Sequence, residues 1–296
     1  MNDLSSPKQT GDLLRAHGLR PQKRLGQNFL CDRNSLERIA DAGNLTLDTP
    51  VLEIGAGLGA LTQTLSERAA RVTTIEIDGA LIPLLEENLV GYDNVRVIAE
   101  DFLRLRRDKL FDEAFGETKG VIVANIPYYI TTPIIERLLM HKDRWSRVVL
   151  LVQEEFARRA VAKAGADECG AMTHFIQYHT KAEIVGLVPR SVFLPVPEVG
   201  SAILALTPII PGAVIVENEE RLLHIVRAAF GQRRKTLLNA LLRAPAPFEL
   251  GFTIDDREKA EELLLKAGID GTRRGETLTL EEFARIERVY ENNPAV

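Results

Sequence analysis
Short apolar runs that alternate with amphipathic stretches constrain this chain more than any other feature. "VLEI" (51–54), "VTTI" (72–75), "VRVI" (95–98), "VIVA" (121–124) and "VVLLV" (148–152) are too short for helices and rich in β-branched residues. Segments 60–68, 81–89 and 133–140 between them place apolar residues at helical spacing. That rhythm predicts an α/β fold, a doubly wound and mostly parallel sheet with helices on both faces. "AEIVGLV" (182–188) and "SAILALT" (201–207) read as two more strands, separated by the Pro-rich "VPRSVFLPVPE". After "TPIIPG" (207–212) the strand signals end. Helices are expected over 217–230, 235–243, 255–267 and 280–290, with a boundary near Pro211. The chain is therefore read as a sheet domain, 1–211, and a smaller all-helical domain, 212–296.

The first strand runs into "EIGAGLGALT" (53–62), which opens a helix. Gly55 and Gly57 let the backbone turn tightly and approach a ligand. Gly55, Gly57 and Ala60 also fit the G-x-G-x-x-A pattern of a dinucleotide site, and a plain structural turn is the other alternative. Three features favour S-adenosyl-L-methionine. Glu53 precedes the loop, where an acid suits a cationic ligand better than a pyrophosphate. Glu76 ends the second strand, where a carboxylate can accept both ribose hydroxyls, which fits either cofactor. Asp101 ends the third, placed to accept from an adenine amine. The loop itself carries no basic residue to meet a phosphate.

The fourth strand stops on "NIPYY" (125–129). Pro127 removes a backbone donor and stiffens the turn. The amide oxygen of Asn125 and the carbonyl of Ile126 can accept both protons of an exocyclic amine. That would push electron density onto a nitrogen whose lone pair is otherwise spread into its ring. Tyr128 offers a face for stacking a base, worth about 1–3 kcal/mol.

Net charge is −5 over 296 residues, so no global charge announces a polyanionic partner. The distribution is uneven, however. From Lys8 to Cys31 five basic residues face one acid, and from Arg221 to Phe248 there are six basic residues and none acidic. Two such runs point to a localised anionic partner, although either alone fits a solvated helix face. Cys31 and Cys169 form no C-x-x-C pattern, and the histidines lack metal-ligand spacing, so neither a disulfide framework nor a metal site is expected. No apolar run suits a membrane span and the polar start is no signal peptide, so the expected location is the cytoplasm.

Taken together, "KRLGQNFL" (23–30), "EIGAGLGALT" (53–62), "EID" (76–78), "EDF" (100–102), "NIPYY" (125–129), "FLPVPEVGSA" (193–202) and "GQRRKTLLNAL" (231–241) resemble the ribosomal RNA adenine N6,N6-dimethyltransferase family. The resemblance implies dimethylation of two adjacent adenosines near the 3′ end of small-subunit rRNA within an assembly intermediate. It implies that Gln27, Asn28 and Leu30 close over the methionine end of the cofactor, with Gly55 and Gly57 below. Glu76 would hold the ribose, Asp101 the adenine amine, and Asn125 both cofactor and target. Phe193 would offer a second aromatic face opposite Tyr128, core packing being its alternative. Lys23, Arg24, Arg233, Arg234 and Lys235 would meet the RNA backbone, and a monomer is expected. Gly200 departs from the family's usual polar or acidic residue, and Cys169 stands where an aromatic is common. A DNA or large-subunit rRNA methyltransferase, a nicotinamide oxidoreductase and a non-catalytic assembly factor are the competing readings. The full-length match disfavours the first, and the lack of a catalytic Tyr-x-x-x-Lys, His or metal site disfavours the second. The intact Asn125 and Tyr128 disfavour the third.

Overall fold
The computed structural model describes residues 4–232, 234–244 and 257–291, the side chains of 107, 108 and 291 excepted. Nine strands follow in chain order: β1 (Phe29–Leu30), β2 (Pro50–Ile54), β3 (Arg71–Glu76), β4 (Val95–Ala99), β5 (Gly120–Asn125), β6 (Trp145–Gln153), β7 (Thr180–Val188), β8 (Phe193–Leu194) and β9 (Ser201–Pro208). Seven of them form one sheet in the order β4-β3-β2-β5-β6-β9-β7, while β1 and β8 make a separate ribbon. The pairs β4–β3, β3–β2, β2–β5 and β5–β6 are parallel, and β6–β9 is antiparallel.

The chain divides into two compact units, Met1–Ala157 with Ala182–Pro208, and Arg158–Lys181 with Ile209–Val296. This differs from a single cut at 211. The first unit carries helices α1 (Pro7–Ala16), α2 (Arg33–Ala42), α3 (Ala60–Ser66), α4 (Ile82–Asn88), α5 (Arg107–Phe115) and α6 (Thr131–Leu139). A short helix α7 (Glu154–Ala160) runs across the division. The second unit holds α8 (Ala171–His179), α9 (Glu219–Gly231), α10 (Leu237–Leu242), α11 (Arg257–Lys266) and α12 (Leu280–Glu291). Helix α8 belongs there because its apolar side packs on α9 and α12. Tyr178 joins the buried cluster of Leu222, Val226 and Phe283, and the His174 ring lies 5.1 Å from that of Phe283. The buried Glu287 of α12 accepts from the backbone N–H groups of Glu217 and Asn218, satisfying donors at the start of α9.

In the first unit both sheet faces are covered, as parallel strands require. Val51, Val72, Val121, Val123 and Val149 pack against Leu36 and Ile39 of α2 and Leu61 and Leu65 of α3. The alternate positions Leu52, Ile122 and Leu150 turn to the opposite face and are equally buried. Asp32 caps α2, its carboxylate accepting from the Ser35 N–H at 2.8 Å. Among the described residues no helix is long and apolar enough to cross a membrane, and no group of three or more His, Cys, Asp or Glu could hold a metal ion.

Glu53 shares its face of β2 with Val51 and is 0% exposed. Its Oε2 accepts from the hydroxyls of Thr62 (2.6 Å) and Thr74 (2.7 Å), while Oε1 has no partner among the described residues. Burial raises its pKa from 4.5 to about 7, partly offset by the two threonines. Between those values the folded chain keeps a proton that the unfolded chain releases. The resulting stabilisation is complete below pH 4.5 and lost as pH rises through 7. Glu53→Gln cannot ionise, so it should gain on wild type by roughly 3 kcal/mol between pH 4.5 and 8. Parallel stability curves for the two proteins in urea titrations across that range would exclude an ionising Glu53.

Candidate active site
The carboxyl ends of β2, β3 and β5 and the loop after β4 open on one cleft, with the segment 25–30 forming another wall. It holds about 1200 Å³ of empty space, the solvent at its mouth included. Glu76, Glu100 and Asp101 line it, and among the described residues no Lys or Arg does. Such a wall suits a cationic or amine-bearing ligand better than a pyrophosphate.

The floor is the glycine loop. Gly55 and Gly57 have φ of 85° and 57°, the left-handed region that favours glycine. A Cβ at Gly57 would sit 3.2 Å from the Phe29 ring, so loop and segment 25–30 pack backbone to ring. Glu76 secures the loop from β3. Its Oε2 accepts from Gly57 N–H at 2.7 Å and its Oε1 from Asp78 N–H at 2.8 Å. Burial raises the Glu76 pKa, and these backbone donors oppose the rise. Each oxygen retains a lone pair for a further donor. Glu53, by contrast, does not line the cleft; its carboxyl is enclosed between α3 and β3.

Asp101 begins the loop after β4, its Oδ1 accepting from Leu103 N–H at 2.8 Å. Its Oδ2 lies 3.4 Å from the exposed Arg104, a pair worth little in water. The loop is held from α6. Arg137 donates to the carbonyls of Leu103 (2.6 Å) and Leu105, and its guanidinium lies 5.0 Å from the Phe102 ring centroid. Nothing in the sequence singles out Arg137, because an arginine on an amphipathic helix ordinarily reads as solvated.

Two polar ties hold the segment before β1. Asp78 Oδ2 accepts from the side-chain amides of Gln22 (2.8 Å) and Gln27 (2.6 Å), and Gln27 Oε1 accepts from Gln22 N–H. At the other end Asn125 Nδ2 donates to the Asn28 carbonyl at 3.2 Å. A carbonyl can only accept, so this bond assigns nitrogen and oxygen in the Asn125 amide. Asn125 Oδ1 is thereby left as an acceptor with no protein partner among the described residues. The sequence signal for Asp78 was its place in "EID", two residues beyond Glu76.

Asn125, Ile126, Pro127 and Tyr128 all line the cleft, as do Gln27, Asn28, Leu30, Gly55, Gly57, Glu76 and Asp101. Pro127 has φ −56°, and Tyr128 starts the short 3-10 turn Tyr128–Ile130 that leads into α6. Phe193 is the correction. It is 1% exposed, does not line the cleft, and lies in the core with Leu30, Leu36 and Val188. As part of β8 it pairs with Leu30 of β1, so it supports the segment carrying Gln27 and Asn28 from beneath. The aromatic beside Tyr128 at the cleft is Tyr129, 60% exposed. Lys23 and Arg24 are exposed in the first unit, Arg234 and Lys235 in the second, and Arg233 falls outside the described residues. At Gly200 a Cβ would lie 3.3 Å from Glu154 Oε2, so an acidic side chain there would meet another carboxylate.

A family model described as ribosomal RNA adenine dimethylase matches residues 18–284. The ribosomal RNA small subunit methyltransferase A of Bacillus pumilus (strain SAFR-032) is 43% identical over 290 residues, covering 98% of this chain and 98% of its own. Among solved structures, a dimethyladenosine transferase from Plasmodium falciparum superposes with a TM-score of 0.75 at 26% identity, covering 89% of this chain and 97% of its own. The 23S rRNA methyltransferase ErmE gives 0.67 at 30% identity, with 88% and 99% covered. Spanned by that model from residue 18 to 284 and matched along nearly its whole length by a relative, the chain belongs to the ribosomal RNA adenine dimethylase family.

Proposed function
We propose that this protein transfers methyl groups from S-adenosyl-L-methionine to N6 of two adjacent adenosines near the 3′ end of small-subunit rRNA. It would act as a cytoplasmic monomer on an assembly intermediate. The observation that carries this reading is the Asn125 amide, whose nitrogen is committed to Asn28 and whose oxygen is left for an amine in an acid-lined cleft. The donor set fits the cofactor: carboxylates for hydroxyls and amine, glycines where backbone must come close, and no basic side chain among the described lining residues to attract phosphate. When bound, the cofactor supplies an electrophilic methyl on a cationic sulfur.

The chain's own residues do the rest. Glu76 accepts from the ribose hydroxyls and Asp101 from the adenine amine. Gln27, Asn28 and Leu30 enclose the methionine end. Asn125 Oδ1 and the Ile126 carbonyl accept the two protons of the target amine and localise its lone pair on nitrogen. Pro127 keeps both acceptors in register. Tyr128 stacks on the extruded base and offsets part of the few kcal/mol lost on unstacking. Within each unit the exposed basic residues, Lys23 with Arg24 and Arg234 with Lys235, meet backbone phosphates.

The decisive experiment is incubation with undermethylated small subunits and cofactor, followed by nucleoside mass spectrometry mapped by fragment. N6,N6-dimethyladenosine should appear near the 3′ end, and its appearance only in large-subunit RNA would overturn the substrate assignment. In the same assay Asn125→Ala should lower the rate by about 10²-fold or more with the fold intact, since a reacting group is misplaced. A near-normal rate would remove Asn125 from the chemistry. Glu76→Ala should weaken cofactor binding roughly ten- to hundredfold, a hydrogen bond to a charged group being worth about 1.5–3 kcal/mol. It should leave RNA binding alone, and calorimetry showing unchanged cofactor affinity would refute the ribose contact. Neutralising Arg234 and Lys235 should flatten the salt dependence of subunit binding, its log–log slope falling by about 0.7–0.9 for each phosphate that is no longer neutralised. Equal slopes would identify them as solvated charges.

A further inference from the structure
Tyr128 Oη and Ser201 Oγ lie 2.8 Å apart. Ser201 is 0% exposed and opens β9, where it faces Gln153 across the antiparallel ladder with β6. The residue before it is also fixed, Gly200 accepting from Glu154 N–H at 3.0 Å. The serine hydroxyl therefore stands on backbone with no freedom to follow a moving partner. Tyr128 is held at its other end too, its carbonyl accepting from the Thr131 hydroxyl at 3.1 Å. Both ends of the residue are thus anchored, although it sits in a three-residue turn and lines an open cleft. Its neighbour Tyr129 remains 60% exposed at the same cleft.

We propose that Ser201 is a positioning residue for methyl transfer, fixing the Tyr128 ring so that its face is preorganised for the target adenine. The inference rests on the reading that Tyr128 stacks on that base. It explains why the turn carries a tyrosine there. The phenol hydroxyl is turned to a buried serine and is not spent on the substrate, so a phenylalanine would supply the face without the anchor. With the anchor, the base meets a ring already in place. Without it, the ring must be ordered as the base arrives, and rotamer freedom is lost during binding.

The test uses the full chain and undermethylated small subunits, with kcat, KM for the subunit and calorimetric affinity for S-adenosylmethionine measured for each variant. Ser201→Ala and Tyr128→Phe should each lower kcat by roughly 10- to 100-fold and leave cofactor affinity unchanged. Ser201→Thr, which keeps the hydroxyl, should retain most of the rate. The double variant Ser201→Ala/Tyr128→Phe should be no worse than either single one, because both remove the same bond. Additive losses would overturn the proposal, as would a normal rate in Tyr128→Phe, whose packing is otherwise conserved. An equal loss of cofactor affinity in Ser201→Ala would mark a general structural role and overturn it as well. Tyr128→Ala separates the two ideas. If it is inactive while Ser201→Ala is normal, stacking stands and positioning falls; if it is fully active, both fall.

Discussion
Parallel pairing of β2 with β5 is the constraint on which the rest of the site depends. Its register sets Ile54 beside Ala124, so the next residues, Gly55 in the loop and Asn125 at the last rung of β5 against Leu151 of β6, lie side by side at the carboxyl edge of the sheet. A Cβ on Gly55 would stand 3.5 Å from the Asn125 carbonyl oxygen, which shows how close the two turns run. A slip of one residue would exchange the side chains packed on the two buried faces, Val51 and Val123 against Leu52 and Ile122, so the side-chain packing that builds the sheet also fixes the site. β3 then delivers Glu76 to the same edge, and the loop after β4 delivers Asp101. The glycine loop and the Asn125–Tyr128 turn are neighbours because of sheet order, and no long-range loop has to bring them together.

On that frame the segment before β1 is fastened at both ends. The Asp78 carboxylate gathers Gln22 and Gln27, and the Asn125 amide takes the Asn28 carbonyl. Asp78 in turn donates its N–H to Glu76, and Glu76 accepts from Gly57. One chain of hydrogen bonds thus runs from the outer segment through both acids to the glycine loop. Buried polar networks of this kind specify one arrangement only when every member is satisfied, and here each carboxylate oxygen named has a donor. The ribbon of β1 and β8, with Phe193 beneath it, supplies the apolar backing.

All seven strands of the main sheet were legible in the sequence, β2, β5 and β9 because burial makes them almost wholly apolar, and the partly exposed β4 and β7 through short runs of Val and Ile. The acids at successive strand ends were legible for the same reason, since once the strand is placed its end is placed. Other features were not. β1 and β8 are two residues each, too short for any periodicity to register. Helix α8, between the strands read at 148–152 and 182–188, is assigned to the second unit by contacts far away in sequence, Tyr178 in its buried cluster and His174 against Phe230 and Phe283. The resemblance set Phe193 opposite Tyr128, whereas the ladder to Leu30 draws it into the core, as the alternative reading had it. Ser201 and Arg137 carry no local signal, because their partners lie 73 and 34 residues away in sequence.

The separation of charge explains how an acidic protein can handle a polyanion. Among the described residues carboxylates line the cleft without a basic residue, while the exposed cations named above lie outside its lining. On the proposed function, a phosphate would be repelled where a neutral base and a cationic cofactor are admitted. Selection of the base would then fall to the acceptor Asn125 Oδ1. An amine presents donors to it. A keto oxygen at the same place would present an acceptor to an acceptor, and the two buried lone pairs would stay unpaired, at about 1–3 kcal/mol for each group left unsatisfied. Rejection of that kind needs no movement of the protein, only that the amide cannot turn over. The bond from Asn125 Nδ2 to Asn28 opposes that turn, so on the proposed function the segment that would close over the cofactor would also hold Asn125 Oδ1 toward the base.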